Sequence, residues 1–136
     1  MSTSLGGGIG QIVSFKAAAD YSDEQYYPVK LSAANTIATC SAVTDAVIGI
    51  LQNKPEAAGA PSDVLLINGG GVSKVVCSGT IAAAGLVYVG SDGLGRAPLS
   101  ADNANVTVLG YAIEAAGASG DIISILVNGN LGTIGS

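Results

Sequence analysis

Val72-Ser73-Lys74-Val75-Val76-Cys77-Ser78 is the stretch on which the fold turns. Successive side chains of an extended chain point to opposite faces, so Ser73, Val75 and Cys77 share one face and Val72, Lys74 and Val76 the other. The run is short and rich in valine, and it lies between the glycines at 69–71 and Ser78-Gly79. That is the signature of a strand held between turns. Outward from it the pattern repeats. Segments 11–17, 27–31, 36–40, 47–52 and 64–68 precede it, and 86–90, 96–99, 106–112 and 122–128 follow, separated by Gly, Pro, Asn, Asp and Ser. Many short strands at this spacing predict an all-β fold, a small antiparallel β-sandwich or barrel-like domain. Asp92-Gly93 predicts a hairpin between 86–90 and 96–99, because glycine takes a positive φ at no steric cost. Helix signals are weak. The alanine-rich stretches 17–19 and 81–84 are shorter than two turns, well below what an isolated helix needs. At most one short helix is expected, around 20–25, with Ser22 as its N-cap.

A length of 136 residues fits one domain. Residues 1–10 are rich in Gly and Ser and read as a flexible N-terminal arm, 11–128 as a single β-domain, and 129–136 as a flexible C-terminal tail. Within the domain a motif recurs: Glu56-Ala57-Ala58-Gly59-Ala60 returns 58 residues on as Glu114-Ala115-Ala116-Gly117-Ala118. Asp63 then matches Asp121, while upstream Val47-Ile48-Gly49 matches Val108-Leu109-Gly110. The expectation is a duplicated hairpin, 47–68 and 108–128, with an Asp at each loop exit bonding backbone N–H groups. The two copies would occupy related positions about a pseudo-twofold.

The composition predicts a thin core. There are 20 Gly and 21 Ala but one Phe, no Trp and five Tyr, so Val, Ile and Leu must supply most of the buried area that aromatic rings usually provide. Oligomerisation or docking on a larger body is the expected source of further stability. Charged residues make up 11%, against about 25% in ordinary domains, which implies surface meant for partners. Net charge is −5 and the basic residues Lys16, Lys30, Lys54, Lys74 and Arg96 stand singly. Nucleic-acid binding needs a clustered basic footprint, so no nucleic-acid partner is expected. No apolar run approaches the roughly 20 residues of a membrane-spanning helix, so no membrane association is expected. The N-terminus lacks the basic and apolar regions of a secretory signal. Cys40 and Cys77 are expected as reduced, buried thiols.

Catalytic signatures fail in turn. The absence of histidine removes His-dependent triads and His-containing zinc sites. Gly69-Gly70-Gly71-Val72-Ser73-Lys74 lacks the Gly before Lys and the Ser or Thr after it that a phosphate loop requires. Gly6, Gly8 and Gly10 precede any strand and so cannot form a dinucleotide fingerprint. The acidic pairs Asp23/Glu24 and Glu114/Asp121 lack the spacing of a calcium loop. The chain is therefore read as a binding protein and not an enzyme, with no catalytic, cofactor or metal residues. Its expected interface residues are Tyr21, Tyr26 and Tyr27, since tyrosine joins an apolar face to a polar tip, together with Leu5 and Ile9, the apolar anchors of the N-terminal arm. The tyrosines would serve equally well to fill a core short of rings.

The ordered series 26–31 (YYPVKL), 48–55 (IGILQNKP), 71–75 (GVSKV), Gly79 and Gly85, 110–115 (GYAIEA) and 120–123 (GDII) resembles the capsid cement, or head decoration, proteins of tailed bacteriophages. The resemblance spans residues 11–127. It implies a compact β-domain on the outer capsid surface of a virion, a homotrimer bound to the major capsid protein, stabilising capsomer junctions against the pressure of packaged DNA. A phage fibre or adhesin module presenting loops to a host surface or glycan is the alternative function.

Overall fold

The computed structural model describes residues 11–99 and 106–134. Among the described residues there are ten strands and no α-helix. The strands are β1 (Ile12–Ala17), β2 (Pro28–Ala33), β3 (Thr36–Thr39), β4 (Val47–Leu51), β5 (Pro61–Leu66), β6 (Val72–Val76), β7 (Leu86–Val89), β8 (Gly95–Arg96), β9 (Val106–Ala112) and β10 (Ile122–Ile134). A 3-10 turn at Ile67–Gly69 joins the first five to the last five. The all-β expectation holds. At 20–25 the chain makes successive turns in place of a helix. Asp20 Oδ1, and not Ser22, supplies the local cap by accepting the Ser22 N–H at 2.9 Å, and the left-handed backbone of Tyr26 (φ 70°) stops any helical continuation.

The first five strands form a closed barrel in the order β1-β3-β2-β4-β5, and the last five a sheet in the order β6-β10-β9-β7-β8. These are one topology used twice. Replacing each of β1 to β5 by the strand five places later converts the first arrangement into the second, including its closure. In the first barrel β1 and β3 pair in parallel through Lys16↔Thr36 and Ala17↔Ile37; in the second the curled sheet closes through one parallel bridge, Cys77↔Gly95.

The correspondence extends to single residues. Gly49 pairs with Leu66 where Gly110 pairs with Val127, and Leu51 with Val64 where Ala112 pairs with Ile125. Val29 opposes Gly49 as Val87 opposes Gly110, and the register irregularity beside each of these glycine pairs is common to both copies. Left-handed residues recur at matching places: Tyr26 (φ 70°) with Ala84 (φ 67°), Asn35 (φ 55°) with Gly93 (φ 82°), and Gly59 (φ 84°) with Gly120 (φ 92°). The N–H of Gly59 donates to Ala17 O as that of Gly120 donates to Cys77 O, both at 2.7 Å. Gly59 therefore corresponds in space to Gly120 and not to Gly117. The written motif at 56–60 and 114–118 stands three residues out of the geometric register.

Alternation decides what each barrel encloses. Ser73, Val75 and Cys77 are buried while Val72 and Lys74 are exposed, as the period of two requires. Val29, Ile37, Leu51 and Val64 fill the first barrel, with Phe15, Tyr21, Ile48 and Leu66 against them. The second barrel's interior merges with Cys40, Val47, Ile50, Leu65 and Ile67 from the outside of the first, so that both copies contribute to one shared core while the first barrel's interior forms a separate cluster. The Asp92-Gly93 hairpin forms between β7 and β8 as expected. β10 continues past 128, with Val106 opposite Ile134, because antiparallel pairing with β9 carries the backbone through the Asn and Gly residues at which the sequence pattern ends.

Candidate interaction surfaces

The tyrosine stretch lies where the barrels meet. Tyr21 packs on the first barrel's core and Tyr26 on the shared core, with the Lys74 ammonium 5.9 Å from the Tyr26 ring centroid. The Tyr26 carbonyl accepts the N–H of Val76 from the second barrel at 3.2 Å. Tyr27 is half-buried, and burial, reinforced by Glu24, Asp92 and Asp23, raises its phenol above the usual value. A shallow depression lined by Ser22, Asp23, Tyr26, Tyr27, Lys54 and Ile122 runs beside them. Structure thus brings Tyr26 and Tyr27 to the seam and leaves Tyr21 on the first barrel, with Tyr21 and Tyr26 also serving packing. Leu5 and Ile9 lie outside the described residues.

Two aspartates organise the turns that lead into β4 and β10. Asp45 Oδ2 accepts from the N–H groups of Ser41 and Ala42 at 2.7 and 3.0 Å. Asp121 Oδ2 accepts from those of Gly117 and Ala118 at 2.8 and 3.1 Å. Asp121 thus performs the loop-exit role that its position predicts. Its counterpart in this role is Asp45, whereas Asp63 sits within β5, where its N–H donates to Asn53 Oδ1. Burial pushes the Asp45 carboxyl upward, but the two N–H groups and the Lys30 ammonium at 3.2 Å outweigh it and hold the group below its usual range. The seam is tied nearby by the Thr107 hydroxyl, which donates to Asp45 O at 2.7 Å. It is tied again by Gln52 Nε2, which donates to Ser73 Oγ at 2.8 Å. Cys40 and Cys77 are free and buried in the shared core; burial pushes their thiols up to about 12 and about 11.

The feature that sequence reading missed is an apolar outer face on the second barrel. Leu86, Tyr111, Leu126 and Val72 lie directly opposite one another across β7, β9, β10 and β6. Val72, Tyr111 and Leu126 are 41%, 43% and 51% exposed, and Ile122, on the same face of β10 as Leu126, is 51% exposed. Ile113, just past β9, adds a further exposed side chain. Apolar residues at the outward positions of 72–76 and 122–126 were the available signal, but alternation alone does not say which face meets water. On the first barrel Phe15, Leu31, Ile48, Leu66 and Asn68 line a mainly apolar groove of about 170 Å³. Among the described residues no group of three or more His, Cys, Asp or Glu could hold a metal ion. No helix there is long and apolar enough to cross a membrane.

The fold and these surfaces define a tandem pair of five-stranded barrels with exposed apolar faces among the described residues. No family model and no curated protein matches the chain. Among solved structures it is similar to the N base of the head fiber protein gp8.5 of bacteriophage phi29, with a TM-score of 0.63 and 15% identity over 91% of this chain and 98% of that one. At that identity the likeness is one of fold, and it extends over both barrels.

Proposed function

We propose that this chain is a structural protein of a phage head, a decoration or cement protein that sits on the outer capsid surface and binds the major capsid protein. The observation that carries this reading is the end-to-end fold likeness to a head fiber base, and the cement-protein resemblance of the sequence points to the same particle. The chemistry of the exposed surface supports it: apolar sheet faces, single scattered cations and an overall negative charge suit a protein that docks on protein. The chain acts by binding and not by catalysis, as a homotrimer. A unit bridging adjacent capsomers adds its binding free energy to the intact shell and none to the ruptured one, so the pressure of packaged DNA must first displace it. A stable contact of this kind buries about 1,200–2,000 Å² in total.

A second reading is favoured by the same neighbour. A fibre base occupies the head surface as the foot of a longer appendage, and this fold would serve that role equally. Imaging of purified particles separates the two. Discrete surface protrusions of this chain with no shaft above them support the decoration role; a shaft rising from each protrusion supports the fibre base. Particles without this chain on the outer surface overturn both.

A further inference from the structure

The repeated topology allows each surface of one barrel to be compared with its counterpart on the other, and two pairs do not match. The outer row of the first barrel is Pro28, Ile50, Leu65 and Ile12 across β2, β4, β5 and β1. Its central members, Ile50 and Leu65, are 0% and 3% exposed because they pack into the shared core. Their counterparts in the second barrel, Tyr111 and Leu126, are 43% and 51% exposed. The converse holds at a second set of positions, whose second-barrel members share a cluster with Ile50 and Leu65. Phe15, Leu31, Ile48 and Leu66 correspond by register to Val75, Val89, Leu109 and Val127. Those four are buried, none more than 2% exposed, in the cluster that takes in Ile50 and Leu65. In the first barrel the same positions line the open groove, and Leu31 is 52% exposed.

Within one chain, then, the outer face of the first barrel is a plug seated in the second barrel's core. Among the described residues one plug, around Tyr111 and Leu126, has no socket, and one socket, around Phe15 and Leu31, has no plug. We propose that a second copy of this chain fills both vacancies head to tail, seating its Tyr111/Leu126 face on the Phe15/Leu31 groove in the way Ile50 and Leu65 already sit in the second barrel. A second copy in this place continues the existing intramolecular contact from one chain to the next. The residue at the edge of that contact changes in keeping: Gln52, bonded to Ser73 across the seam, corresponds to Ile113 and Ser73 to Val13, so a polar pair gives way to an apolar one at the new junction. Such a contact is heterologous, each copy using one surface to give and another to receive, and it repeats until it closes a ring or runs on as a fibre. This inference concerns the purified chain alone and does not rest on the phage-head reading.

The test uses two variants of the full chain at exposed positions, Leu126→Asp, which spoils the plug, and Leu31→Asp, which spoils the socket. Mass is read by light scattering on a sizing column, with circular dichroism and thermal unfolding to verify folding. The wild type is expected as a multimer and each variant alone as a single chain. The equimolar mixture is expected to form a species of two chains and nothing larger, since one intact plug and one intact socket remain between the partners. A twofold-symmetric contact between like faces cannot give this complementation. A wild type that stays a single chain at millimolar concentration, as when residues 1–10 of the same chain fill the groove, overturns the proposal. So does a mixture of folded variants that fails to pair. Should either aspartate prevent folding, Leu126→Ser and Leu31→Ser test the same pairing, with weakened wild-type association as the expected result and unchanged association as the overturning one.

Discussion

The two barrels share strand order, register and turn conformations, yet they differ in what covers them. Ile50 and Leu65 lie in the shared core, whereas Tyr111 and Leu126 lie in the open at the same places in the fold. The lesson is that a β-strand's two faces are fixed by its period, but which face is dry depends on where the next body sits. It also bears on the relation between the copies. A pseudo-twofold would bury or expose both members of every pair alike, and these pairs are treated oppositely, so the barrels are related head to tail and the twofold expected from the repeated motif does not hold.

The largest effect follows directly. Leu65→Ala should cost about 2–5 kcal/mol, as buried leucine truncations do. Leu126→Ala, at the matching position, should stay within about 0.5 kcal/mol in the unassociated chain. Urea denaturation in a Leu31→Asp background, where association is blocked, measures both, and equal costs would break the comparison. Next is Gly93→Ala. At φ +82° its Cβ would lie 2.5 Å from the Cys40 carbonyl across the seam, and a non-glycine residue in that region costs about 1–3 kcal/mol before the clash is counted. Its counterpart Asn35 already carries a side chain there (φ 55°), so Asn35→Ala should cost less than Gly93→Ala.

Asp45→Asn should cost about 1–2 kcal/mol near neutral pH, because a charged acceptor serving two N–H groups and an ammonium becomes a neutral one. The sign with pH is set by the lowered carboxyl. A folded value below the unfolded one gives stability that is complete above about pH 5 and fades as pH falls below about 4, through the folded value. Denaturation curves of wild type and variant should therefore converge in acid; a gap that persists at low pH would remove charge from the account of this turn. Asp121→Asn, with two N–H groups and no ion pair in its turn, should cost less. Gly59→Ala and Gly120→Ala form a matched pair of small effects. Both sit at left-handed φ with open space where a Cβ would go, so each should cost about 1 kcal/mol. Equal melting shifts would sharpen the equivalence of the two copies, and unequal ones would weaken it.

Alternation at 72–78, the regular spacing of turn residues and the Asp92-Gly93 hairpin are local signals, set by the chain's own period and by glycine's freedom at positive φ. They determined the all-β class and most strand positions. The duplication was visible only as an echo, and the literal motif gave a register three residues off. Small loop residues recur easily by composition, whereas the true equivalences pair unlike residues such as Ile37 with Gly95 and Phe15 with Val75. Barrel packing constrains volume and face more than identity, so letters drift while register persists. The tyrosines were legible as amphipathic, but only folding brought Tyr26 and Tyr27 to the seam between the barrels and left Tyr21 on the first. Which apolar faces remain open was decided by tertiary structure alone. Exposure is a property of the arrangement of two bodies, and the same period-two pattern is written on a face that is buried and on one that is not.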